Sequence, residues 1–146
     1  MIEVSQVLTI ATSLAISLLI VASICDLRTR EIPDAISLSL LAVGLITALG
    51  GWSVVSIGQS LLGVLLGFAV TAPLFFVGGI GGGDVKLITA LGSILGTAGL
   101  FSALFWVAIA GGVLALVAKL RGQSDFAYVP AIFIGVVITC CVRGIG

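Results

Sequence analysis

The chain has 146 residues, 60% of them hydrophobic and 8% charged, with mean hydropathy +1.41 and a formal net charge of zero. A soluble domain of this length would carry about a quarter charged residues, so the chain cannot cover a water-facing surface and reads as an all-α, polytopic integral membrane protein. Its six basic residues form no phosphate-binding patch, which excludes nucleic acid as a partner. Having no histidine excludes a His-based triad, and Cys25, Cys140 and Cys141 make no C-x-x-C pair, so neither metal nor other cofactor is expected.

At about 20 residues per crossing there is room for about six helices and short loops. Residues 1–146 therefore read as one transmembrane domain with no separate soluble part. The N-terminus lacks a basic n-region, Glu3 being its only charge, and its apolar run is too long for a cleavable signal. Segment one is expected over Val4 to Cys25, retained, ending in the polar loop Asp26 to Asp34. Pro33 and Asp34 suit a helix start, so segment two runs from near Pro33 to about Leu49. Gly50 to Ser53 reads as a tight turn with Trp52 at the lipid–water interface. Segment three, Val54 to Val77, carries Gly63 and Gly67 at a spacing that lets helices approach closely, and Pro73 is expected to kink it. After a glycine loop, segment four runs from about Asp84 to Leu95 with a second such pair, Gly92 and Gly96. It is short for a crossing. Segment five is expected from about Leu100 to Ala118, and segment six from Phe126 to Val142 with Pro130 in its first turns. The glycine pairs suit packing within one chain or between two, so oligomeric state stays open.

With six alternating crossings, Arg28, Arg30, Lys86, Lys119 and Arg121 fall on one side and Arg143 on the other. The positive-inside rule makes the first side cytoplasmic. Both polar stretches, Asp26–Asp34 and Gly78–Leu87, then face the same surface. Each offers one acid at the edge of a membrane-length segment.

Two carboxylates brought together can share a proton, because two like charges that close do not both ionise easily. One can then draw a proton from water while the other protonates a scissile carbonyl, giving peptide hydrolysis without metal, histidine or covalent intermediate. Asp84 lies at a helix N-terminus, whose dipole favours the anion; Asp26 follows a helix C-terminus, whose dipole disfavours it, and Arg28 and Arg30 oppose that effect. For either acid taken singly, a solvated cap is the plainer reading. Gly78-Gly79-Ile80-Gly81-Gly82-Gly83 adds a backbone free to adopt positive φ and to let an extended peptide come close.

These residues carry a resemblance. Gly81-Gly82-Gly83-Asp84 resembles the G-x-G-D signature of intramembrane aspartyl proteases, and Gly-Gly-Gly-Asp-Val-Lys-Leu resembles the type IV prepilin peptidases. Asp26-Leu27-Arg28-Thr29-Arg30-Glu31-Ile32-Pro33-Asp34 is similar to that family's D-x-R-x-x-x-I-P-N stretch, with Asp34 where Asn is usual. Tyr128-Val129-Pro130-Ala131 with Gly135 resembles a late P-A-x-x-x-G helix. The resemblance covers most of the chain in the right order. It implies a six-helix protease of the plasma (inner) membrane that removes the basic leader of pilin-like precursors at the cytoplasmic face, with Asp26 and Asp84 as the catalytic pair. Larger members add paired C-x-x-C motifs and methylate the new N-terminus. This chain shows neither feature, so it resembles the short, peptidase-only branch of tight-adherence pili or its archaeal counterparts.

Around the acids, Gly81, Gly82 and Gly83 are expected to border the substrate. Lys86, two positions past Asp84, points away from it on a helix and is expected to anchor at headgroups or touch substrate or loop. Arg28 and Arg30 read as anchors and topology signals. Glu31, Asp34 and Asp125 are better suited to a basic leader. Gln59 is expected to bond a neighbouring helix. The expected partners are prepilin-like precursors and membrane lipids. Three other readings compete: a presenilin-type protease, a small transporter using both acids as an ion relay, and a structural subunit. The first expects Tyr before the first acid, where Cys25 stands. The second expects acids near mid-membrane. The third gives the glycine loop no purpose.

Overall fold

A computed structural model describes residues 4–29, 31–122 and 128–143. Among these the chain is all-helical: α1 (Val4–Thr29), α2 (Asp34–Leu49), α3 (Ile57–Phe76), α4 (Gly82–Leu120) and α5 (Val129–Arg143).

The first helix continues past Cys25. Thr29 closes its last turn by donating its hydroxyl to the Cys25 carbonyl at 2.9 Å. Asp26 therefore rides on a helix rather than in a loop. From Thr12 onward the buried positions of α1 are Thr12, Ala15, Leu19, Ala22 and Asp26. This is one inward stripe at alternating spacings of three and four, and Asp26 is its last member.

The second helix starts behind Pro33 with Asp34 in its first turn, as the sequence predicts. The third starts at Ile57 rather than Val54. Ser53 and Ser56 form turns there: the Ser53 hydroxyl accepts from the Val55 N–H at 3.1 Å, and the Ser56 hydroxyl accepts from the Gln59 N–H at 3.4 Å. It continues through Pro73 and ends one turn later at Phe76.

Segments four and five share one helix, α4, broken at a single residue. Gly96 has φ 64° and ψ −175°, a left-handed conformation that favours glycine. The expected linker between Leu95 and Leu100 is thus largely helical. The two arms, 82–95 and 97–120, run in opposite directions. In the first, Gly92 lies against Gly63 and Ile88 against Gly67, so this arm is antiparallel to α3. In the second, Ala103 and Val107 lie against Gly135, and Gly111 lies against Tyr128 at the start of α5. The α5 start also touches Asp26. A cavity of about 170 Å³ marks the opposite end, lined among others by Thr12, Trp52, Gln59, Leu95, Ala98 and Cys140. Gly96 therefore sits at one end of the bundle, and Asp84 and Gly111 near the other.

The first arm is the central helix, with most positions from Asp84 to Leu95 buried. Its Leu87, Ile88, Leu91 and Leu95 form a core with Leu19, Leu40, Leu100 and Ile132. Small residues bring its neighbours close. A Cβ on Gly63 would land on the Gly92 carbonyl, one on Gly92 would land on the Gly63 carbonyl, and one on Gly44 would strike Ser93. Ser60 donates to the Ser93 carbonyl at 2.7 Å. Both glycine pairs are thus used inside the chain, as transmembrane interfaces of small residues are.

The exterior is apolar. Leu62, Leu65, Phe68, Phe76, Val77, Phe101 and Phe105 all face outward and exposed. Among the described residues three helices are long and apolar enough to cross a membrane: Thr12–Thr29, Ile57–Phe76 and Gly82–Leu120. Asp34–Leu49 and Val129–Val142 are shorter apolar helices. This is the surface of a membrane protein.

Candidate active site

Among the described residues the only buried charged side chains are Asp26 and Asp84, each 8% exposed. Asp26 arrives on the last turns of α1 and Asp84 on the first turn of α4. They meet in one cleft of about 270 Å³, lined by Asp26, Glu31, Ile32, Asp34, Gly81, Gly82, Gly83, Asp84 and Lys86. The carboxylates are near enough for Asp26 to act electrostatically on Asp84.

Their hydrogen bonds differ. Asp26 Oδ2 accepts the Val129 N–H at 3.0 Å, so Asp26 caps α5 from another helix. The first N–H of α5, and with it the positive end of that helix, therefore faces this carboxylate. Asp84 Oδ2 accepts the Gly81 N–H at 3.3 Å. Its Oδ1 is buried with no hydrogen-bond partner. The expected dipole contrast does not survive. Asp84 has its own helix N-terminus, but Asp26 has that of α5, which overrides the end of α1.

The glycines act differently from expectation as well. In the loop and α4 start only Gly78 has positive φ, at 75°. Gly81 is extended, with φ −76° and ψ 154°, and Gly82 and Gly83 are already helical. Gly83 packs closely on Ile32, since a Cβ there would stand 3.2 Å from that side chain. A Cβ on Gly81 would stand 3.5 Å from Asp84 Oδ2. These glycines leave bare backbone beside the acid.

The structure brings all the predicted site residues, Asp26, Asp84, Gly81, Gly82, Gly83, Lys86 and Asp34, to this one cleft. Lys86 does not reach Asp84. Its Nζ donates to both oxygens of Asp34, at 2.8 and 2.9 Å, in an exposed pair. Asp34 is therefore engaged rather than free. Glu31 lines the cleft unburied, and Arg28 is exposed. Asp125 and Arg30 lie outside the described residues. The sequence reading missed Val129 as the partner of Asp26. Pro130 in the first turn of a helix was the available signal, because such a start presents unpaired N–H groups.

The fold and cleft define a helical membrane protein whose only buried charges, among the described residues, are two carboxylates in one glycine-lined cleft. Residues 13–116 match the type IV leader peptidase family, and the chain belongs to that family. It is 32% identical over 133 residues to a prepilin leader peptidase/N-methyltransferase of Bacillus subtilis, covering 84% of this chain and 52% of the relative. It is 32% identical over 128 residues to a type 4 prepilin-like proteins leader peptide-processing enzyme of Escherichia coli, covering 83% and 47%. A preflagellin peptidase of Methanocaldococcus jannaschii is 39% identical over 82 residues, covering 53% and 34%. The chain thus spans about half the length of the bacterial relatives it matches. No solved structure matches it.

Proposed function

We propose that this chain is an aspartic endopeptidase that removes the basic leader of type IV pilin-like precursors. The observation that carries this reading is the meeting of Asp26 and Asp84, both buried, in one cleft open to a peptide. Family membership and the relatives' names supply the substrate class.

In this reading the scissile peptide lies along the bare backbone of Gly81–Gly83. Asp26, held by the Val129 N–H, is the anion that draws a proton from water. The water oxygen attacks the carbonyl carbon. Asp84, whose Oδ1 has no partner inside the protein, gives its proton to the carbonyl oxygen. Collapse of the resulting diol breaks the C–N bond as Asp26 gives its proton to the leaving amine and Asp84 takes one from a diol hydroxyl. Water is consumed and both acids end in their starting state. No methyl transfer is assigned to this cleft.

We further read the helices as six crossings, with α4 contributing two because the chain reverses at Gly96. Arg28, Lys86, Lys119 and Arg121 then gather at the cleft end, which makes the cleft cytoplasmic and the membrane the inner one.

The test is processing of co-expressed pilin-like precursors, read as a gel mobility shift. Wild type, Asp26→Asn and Asp84→Asn are compared at matched membrane levels. Wild type should process and neither variant should. Processing by either variant would remove that acid from the mechanism.

A further inference from the structure

We propose that Gly111 and Tyr128, both outside the two acidic stretches, are positioning residues that set where the start of α5 meets Asp26. The inference deepens the peptidase reading and, for its catalytic consequence, rests on it.

The bond from the Val129 N–H to Asp26 Oδ2 is buried and 3.0 Å long. Its geometry depends on where the first residue of α5 sits. Val129 is fully buried, and its chain neighbour Tyr128 is half-buried against the same core. The Tyr128 ring lies on bare backbone. A Cβ on Gly111 would stand 2.9 Å from Tyr128 Cε2 and 3.1 Å from its hydroxyl oxygen. The adjacent Gly112 faces open space, with nothing near an added Cβ. Of two successive glycines in one helix, only the first lies against this ring. Tyr128 is also within electrostatic reach of Asp84. One ring thus ties the second arm of α4 to the α5 start, beside both acids.

A ring that merely filled space would affect stability alone. A positioning ring affects turnover, because small displacements of a catalytic group are costly to rate. The variants are Gly111→Ala, Gly112→Ala and Tyr128→Ala in the full chain in detergent. The readouts are kcat and KM on a leader-spanning peptide, thermal unfolding, and the Val129 amide resonance in protein made with isotope-labelled valine. Gly111→Ala and Tyr128→Ala should lower kcat about tenfold or more with KM within about twofold. They should move the Val129 resonance as Asp26→Asn does. Gly112→Ala should match wild type, since it leaves the ring seated. Undiminished kcat in Gly111→Ala or in Tyr128→Ala, or equal loss in Gly112→Ala, would overturn the proposal. The amide readout separates two failures. If wild type cleaves nothing while the resonance still answers to Asp26→Asn and Gly111→Ala, the peptidase reading fails and the contact stands. If wild type cleaves and the resonance ignores both, this inference alone fails.

Discussion

Asp84 Oδ1 is a buried carboxylate oxygen that no group of the described protein satisfies. Such an atom costs about 1–3 kcal/mol, more when charged, and fold stability gives no return on it. A site that must meet water or a peptide carbonyl does. Asp84→Asn, which keeps shape and loses acidity, should lower cleavage about a hundredfold or more while the protein still accumulates; precursor processing against immunoblot level checks it. The Lys86–Asp34 pair calls for the opposite expectation. It is exposed on both sides, and such pairs contribute about 0–1 kcal/mol. Asp34→Asn keeps an oxygen for Lys86, so cleavage and thermal stability should stay near wild type. A large loss would mean that Asp34 touches substrate. The two acids were legible in the sequence because charge is so scarce in this chain. The reason for their glycines was not. Three adjacent glycines suggest unusual φ, yet Gly81 to Gly83 are ordinary in conformation and matter for the side chains they lack.

Helix boundaries show where sequence reading stops short. Charge at Asp26 reads as the end of an apolar run, but the helix continues while the stripe from Thr12 remains inward, and that stripe was already spaced for it. Gly92 and Gly96 read as one packing pair, but they do separate jobs. Gly92 lets α3 approach, whereas Gly96 turns the chain. Spacing alone cannot tell a glycine present for room from one present for its backbone angle. Substitution can. Gly92→Ala would push a methyl into the Gly63 carbonyl and should cost about 1–3 kcal/mol. Gly58→Ala on α3 meets nothing and should be silent. Gly96→Ala combines a left-handed φ with a contact to Val55 at 2.9 Å, and should cost at least about 1–3 kcal/mol. Thermal unfolding in detergent would rank the three.

Over the whole molecule, the all-helical membrane character followed from composition, since an apolar exterior and an apolar core leave little room for charge. The orientation proposed here is testable with single cysteines in a chain cleared of its own three. Trp52→Cys, at the end away from the cleft, should react with an impermeant maleimide in intact cells. Arg121→Cys should react only after the cells are opened. The reverse pattern would turn the cleft outward. What no periodicity could supply was the meeting of the first described helix with the last, because nothing local in α1 specifies a partner so far along the chain. That contact has a consequence in time. A nascent chain is synthesised from its N-terminus, so Asp26 enters the membrane long before Val129 exists. Between the synthesis of Asp84 and that of Val129 the chain holds both acids but not the helix that fixes the first of them. Hydrolytic competence should therefore arrive late and abruptly, when α5 docks, and chains stalled before that point should insert without cutting anything.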